Sequence, residues 1–123
     1  MFIGGTPLPL PLANAALSAI RILRSNPNLR QRLNRNSNYV KNALRKAGFP
    51  LPDAPGPIIC LPELSERANR ALRNALLKAN IYPPFLKYPG GPATGCFRFV
   101  ISSEHTRKQL DNLLTVLRSV RNF

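Results

Sequence analysis

Three clusters of proline and glycine punctuate this chain and decide where regular structure can form. They occupy residues 2–12 (FIGGTPLPLPL), 49–57 (FPLPDAPGP) and 82–95 (YPPFLKYPGGPATG). Proline fixes φ at about −65° and has no N–H to donate, so these stretches do not suit the interior of a helix or of a central strand. Regular elements must therefore fall between them. The first cluster reads as a connecting lead-in over residues 1–12, ahead of a domain over residues 13–123. The third is long for a loop inside a compact domain, and such loops commonly carry function.

Between the clusters, apolar spacing gives the elements. Ala13, Ala16, Leu17, Ile20 and Leu23 recur at helical period after Pro11. Asn26-Pro27 then reads as a stop and restart, a capping residue followed by proline at the first helical position. Leu29, Leu33, Val40, Leu44 and Ala47 form a second stripe, which Gly48 can close. Ile58 to Leu61 is a short apolar run suited to a buried strand, ended by Pro62. Ser65 opens a third helix to about Ala79, with Ala68, Leu72, Ala75, Leu76 and Ala79 facing inward. Ile81 begins a short strand that Pro83-Pro84 closes. Thr106 and Gln109 form a capping box for a last helix, buried through Leu110, Leu113, Leu114, Leu117 and Val120. The predicted fold class is α+β, a two-layer α/β arrangement in which a small, mainly antiparallel sheet is covered on one face by helices.

Composition narrows the function. At 123 residues the chain makes one domain, and 44% hydrophobic content is enough for it to fold. No apolar run approaches the ~20 residues that span a bilayer, and no basic region precedes the N-terminal apolar stretch, so no membrane segment or signal peptide is expected. Cys60 and Cys96 have neither metal-ligand spacing nor the count of a disulfide framework, which points to a reduced, cytoplasmic setting. One histidine and five scattered carboxylates provide no catalytic constellation, phosphate loop or dinucleotide fingerprint. No catalytic residue and no metal site is assigned. His105, just before a helix start, suits capping or packing, and Glu104 suits first-turn charge stabilisation.

The charge is lopsided, with 18 Lys+Arg against 5 Asp+Glu, a formal +13. Three readings are open: solvated helix faces, a site for nucleic acid or another polyanion, or a complement to an acidic partner domain. The basic residues are spread over every helical segment without a basic run or an aromatic nucleic-acid motif.

One charge stands apart. Arg98 is the lone charge in Gly95-Cys96-Phe97-Arg98-Phe99-Val100-Ile101. Strand alternation places Phe97, Phe99 and Ile101 on one face and Cys96, Arg98 and Val100 on the other. A guanidinium mid-strand either lies across an edge strand into water or meets an anion, and its planar fork is well matched to carboxylate or phosphate.

Three landmarks together resemble the C-terminal small domain of the α-oxoamine synthase group of pyridoxal-phosphate enzymes, within the class I/II aminotransferases of fold type I. They are Gly4-Gly5-Thr6-Pro7-Leu8-Pro9, the loop from Ile81-Tyr82-Pro83-Pro84 to Pro92-Ala93-Thr94-Gly95, and Phe97-Arg98-Phe99-Val100-Ile101-Ser102-Ser103-Glu104-His105-Thr106. The group includes 8-amino-7-oxononanoate synthase, glycine C-acetyltransferase, serine palmitoyltransferase and 5-aminolevulinate synthase. The resemblance implies an enzyme that condenses an acyl thioester with an amino acid, using pyridoxal 5'-phosphate. It implies that Arg98 binds the amino-acid carboxylate, that Tyr82, Pro83 and Pro84 border the substrate entrance, and that Thr6 approaches the cofactor phosphate across a dimer.

In the family, the lysine that carries the cofactor and the residues that hold its ring lie in the large domain, and no lysine here sits in a matching motif. Some members have a second basic residue where this chain has Cys96. The resemblance therefore implies a truncated chain, inactive and cofactor-free alone, whose partners are the large pyridoxal-phosphate domain and further copies of itself. The competing expectations are a stand-alone basic module for nucleic acid or another polyanion, and a structural partner that docks on a related enzyme.

Overall fold

The segments between the proline clusters become helices and strands in a computed structural model that describes residues 8–119. In chain order they are α1 (Leu10–Ser25), α2 (Pro27–Lys46), β1 (Ile58–Cys60), α3 (Glu66–Lys78), β2 (Phe85–Leu86), β3 (Cys96–Val100) and α4 (Arg107–Ser119). The strands form one antiparallel sheet in the order β1-β3-β2, so β3 is central. Ile58, Ile59 and Cys60 face Val100, Phe99 and Arg98, while Phe85 and Leu86 face Phe97 and Cys96. The α+β expectation holds.

The core lies between one face of this sheet and α2, α3 and α4. Phe97 and Phe99 meet Val40 and Leu44 of α2, Leu72 and Leu76 of α3, and Leu114 and Leu117 of α4 in one buried cluster. Burying each such side chain contributes about 1.5–3 kcal/mol. The stripes read from α3 and α4 are the buried faces of those helices. Their starts are built as their sequences suggest. Ser65 Oγ accepts the N–H of Ala68 at 3.2 Å. Thr106 and Gln109 close a reciprocal box: the Thr106 N–H donates to Gln109 Oε1 at 2.8 Å, and the Gln109 N–H to Thr106 Oγ1 at 3.3 Å. Gly48, at φ 82°, ends α2 in the left-handed conformation.

Several boundaries differ from the sequence reading. The first helix begins at Leu10, inside the proline-rich lead-in, because Pro11 sits in its first turn, where a missing N–H costs nothing. Asn26 separates α1 from α2 but does not cap α2 with its side chain; Asn26 Nδ2 donates back to the Ile22 carbonyl at 3.1 Å. The strand expected at Ile81 forms four residues later, at Phe85–Leu86. The two prolines intervene, and the pairing partner offered by β3 decides the position. A short edge strand thus sits within the 82–95 stretch. The stripe on α1 is not a buried face: α1 packs against α2, and no residue of α1 is buried. Val120 lies outside the described residues.

Candidate functional site

Arg98 projects from the sheet face that carries no helices. It lies on the central strand rather than an edge, so it is not a side chain reaching round a sheet margin into water. Register places it beside Cys60 of β1, two pairs along from Ile58 and Val100, which share its face. All four of these residues are exposed, with Ile58 at 51% and Val100 at 55%. Cys96, on the same face two residues before Arg98, is buried instead. The open face is therefore a mostly apolar surface with one guanidinium at its middle. Among the described residues the ion pairs are Arg32–Glu104, Arg45–Asp53 and Arg107–Asp111, and Arg98 takes part in none of them.

The loop before β3 is tied to this residue through the backbone. The Arg98 N–H donates to the Pro84 carbonyl at 2.9 Å, which brings one proposed entrance residue next to the arginine. Tyr82, two residues earlier, is 85% exposed, Pro83 is buried and Pro84 is half-buried. The far end of the loop closes at Gly95, with φ 78°. A Cβ there would lie 2.9 Å from the Leu86 carbonyl and would strike the Phe85 ring, so this turn requires glycine. Glu63 fixes the adjoining wall by accepting the Thr94 N–H at 3.1 Å and its hydroxyl at 2.8 Å. Those two bonds favour the ionised form and hold the Glu63 carboxyl below its ordinary pKa.

Beyond β3, the chain turns into α4 through a small polar knot. The His105 Nδ1 accepts the Ser102 N–H at 3.0 Å, so the imidazole packs the turn as expected. Asn36 Nδ2 donates to the carbonyls of both Ser102 and His105 at 3.0 Å. Glu104 takes a bond from Arg32 at 2.5 Å, and this partner holds its carboxyl below the ordinary range. The Glu104 charge is thus spent on α2 rather than on the start of α4. Tyr39 donates its hydroxyl to Asp111 under the guanidinium of Arg107, which sits 3.2 Å above the ring. The bond to Asp111 raises the phenol pKa.

Sequence reasoning found Arg98 but missed its neighbours Ile58 and Cys60, since cross-strand register is not visible in either strand alone. Thr6 lies outside the described residues. Among the described residues no cluster of His, Cys, Asp and Glu could hold a metal, and no helix is long and apolar enough to cross a membrane.

The family model for aminotransferase class I and II matches residues 1–117. The 8-amino-7-oxononanoate synthase of Coprothermobacter proteolyticus is 33% identical over 98 residues, covering 79% of this chain and 25% of that protein. The serine palmitoyltransferase of Caulobacter vibrioides is 31% identical over 108 residues, covering 87% of this chain and 27% of that protein. The solved serine palmitoyltransferase of Sphingomonas wittichii superposes with a TM-score of 0.78 at 26% identity, covering 98% of this chain and 31% of that one. The chain thus spans 25–30% of the length of such curated relatives. A strand-borne arginine on an open sheet face, in a fold shared with these proteins, agrees with the sequence match along nearly all of the chain: it belongs to the class I and II aminotransferase family, with its similarity in the α-oxoamine synthase group.

Proposed function

We propose that this chain is the small domain of a pyridoxal-phosphate-dependent acyltransferase that joins an acyl thioester to an amino acid, and that Arg98 binds the amino-acid carboxylate. The observation that carries this reading is the guanidinium of Arg98 on the uncovered face of the central strand, beside Ile58, Val100 and the Pro84 loop. An arginine fork can hold a carboxylate in two parallel hydrogen bonds. In open water such a pair contributes only about 0–1 kcal/mol, so Arg98 alone would leave a free amino acid almost unbound. Covering the face with further protein removes water and strengthens the same pair. That is the physical reason to expect inactivity from this domain by itself.

Several features support a missing cover. On α1, Leu17, Ile20, Ile22 and Leu23 are 44–53% exposed, and Leu10 and Leu12 are more exposed still. The open sheet face adds Ile58 and Val100. These surfaces suit the remaining large domain, which the relatives' greater length accommodates. In the assembled enzyme Tyr82, Pro83 and Pro84 would border the entrance, and Thr6 would approach the cofactor phosphate across the dimer.

Pyridoxal phosphate supplies the electron sink for such chemistry. It requires a lysine amine, a wall for its ring and a cradle for its phosphate. Lys41, the buried lysine among the described residues, gives its protons to the carbonyls of Ala54 at 2.7 Å and Gly56 at 2.6 Å, so it fastens a loop. The described residues do not fit the cofactor by themselves, and carboxylate binding by Arg98 needs no step through it.

The test is the visible absorbance of pyridoxal phosphate with the chain alone, then with a separately produced large domain from a relative. The expected result is no specific change alone, and an amino-acid-dependent change on mixing that Arg98→Ala weakens. A specific change with the chain alone would overturn the claim of inactivity. A mixture indifferent to Arg98→Ala would overturn the carboxylate role.

A further inference from the structure

A recess lies on the other side of the sheet. It opens between α3 and the β2 edge, encloses about 230 Å³ and is lined by Glu66, Asn69, Arg70, Arg73, Phe85, Thr94 and Phe97. Phe97 points to the helix-covered face, opposite Arg98 on the same strand, so the two sites do not communicate through one surface.

Its floor is aromatic and rigid. The Phe85 ring stands edge-on to Phe97 with centroids 5.0 Å apart and remains 38% exposed. Gly95 leaves that ring no spare room, since even a Cβ at that position would strike it. The wall at Thr94 is equally fixed: Glu63 takes its N–H and hydroxyl, and Asn69 Nδ2 donates to the carbonyls of Leu64 at 3.3 Å and Thr94 at 3.5 Å. A half-exposed phenylalanine held this firmly presents apolar area at little entropic cost to whatever covers it.

Above the floor, Arg70 and Arg73 stand one helical turn apart, a spacing at which side chains are neighbours. Among the described residues neither guanidinium has an ion-pair or hydrogen-bond partner. Glu66, the one carboxylate lining the recess, makes no ion pair with either, so two positive charges face one negative charge. We propose that this recess binds a small aromatic carboxylate, its ring against Phe85 and its carboxylate between Arg70 and Arg73. The site takes a single negative charge on a flat body. Two guanidinium forks converge on the carboxylate, and the Phe85 ring offers an offset or edge-on partner. Glu66 disfavours a ligand with a second anionic group at the α3 N-terminal end. The inference does not rest on the role of Arg98.

The test is a titration of the isotope-labelled 123-residue chain with phenylpropanoate, followed through amide chemical shifts, with its neutral amide as the control. Saturable shifts are expected at residues 66–73, 85 and 94, with Kd on the order of 1 mM for so small a ligand. The neutral amide and the double variant Arg70→Gln/Arg73→Gln should each bind roughly tenfold more weakly, the size expected for loss of charge-assisted hydrogen bonds. Glu66→Gln should bind about twofold more tightly, as an exposed competing charge is removed. Arg98→Ala should match the unaltered chain. Absence of saturable shifts would overturn the proposal. So would equal binding of acid and amide, or shifts spread evenly over the basic faces of all the helices, which would mean general charge attraction.

Discussion

The two faces of β3 obey different physics although they alternate residue by residue. One face presents Phe97 and Phe99, continued by Ile101 just past the strand, to three helices and is almost completely buried. The other presents Arg98 and Val100, with Ile58 and Cys60 of β1, to the exterior. The buried face has high packing density and no tolerance for lost volume, so it carries stability. The open face has little packing to lose, and its chemistry depends on what comes to cover it. The strand is thus a divider between what holds this domain together and what the domain offers.

That division can be broken most severely at Phe97, 1% exposed. Phe97→Ala should cost about 3–5 kcal/mol, read as a fall in the urea midpoint with little change in slope. If the chain tolerates it, the core is not where the sheet meets the helices. Gly95→Ala is next, at about 1–3 kcal/mol, because it combines a positive φ with the collision against Phe85. It should also shift the aromatic signals of Phe85, linking the turn to the edge strand. Ser65→Ala removes a single cap bond to α3 and should lower stability by about 1 kcal/mol, with the loss of helicity confined to the first turn of α3.

The open face should respond in the opposite way. Arg98→Ala is expected to leave the unfolding free energy within about 0.5 kcal/mol, while weakening the amino-acid response of the reassembled enzyme. A large loss of stability would move Arg98 to the structural side of the comparison. The smallest effect is expected from acid. Glu63 and Glu104 both have pKa values depressed on folding, by the bonds from Thr94 and Arg32 respectively. A depressed carboxylate stabilises the fold above its unfolded pKa and loses that contribution as pH falls through the folded pKa. The difference in unfolding midpoint between the unaltered chain and Glu63→Gln should therefore shrink as pH falls below about 4. Both groups lie at the surface, so this change is small beside the core substitutions.

Much of this arrangement is legible in particular residues. The capping box at Thr106 and Gln109, the Ser65 cap and the alternation through Phe97, Arg98 and Phe99 act over a few residues, so local sequence is enough to read them. Other features resisted the same reading for a physical reason. The stripe on α1 looks like those on α3 and α4, but an amphipathic pattern states only that a face needs cover and not which element supplies it. The edge strand formed at Phe85 rather than Ile81, because a two-residue strand exists only through the hydrogen bonds of its partner. The recess under Arg70 and Arg73 had no local signature, since its floor comes from two strands and its rim from a helix.

By itself, then, the sequence determined the alternation of helices with proline-rich breaks, the face of β3 on which Arg98 stands and, through its landmarks, the family. Those properties depend on backbone sterics and short-range periodicity. Tertiary structure decided that β3 is central, that Ile58 and Cys60 are the neighbours of Arg98, and that α1 remains uncovered. It also decided that Phe85 and two arginines share one recess. These are consequences of pairing register and packing between segments far apart in the chain, and no local stretch encodes them on its own.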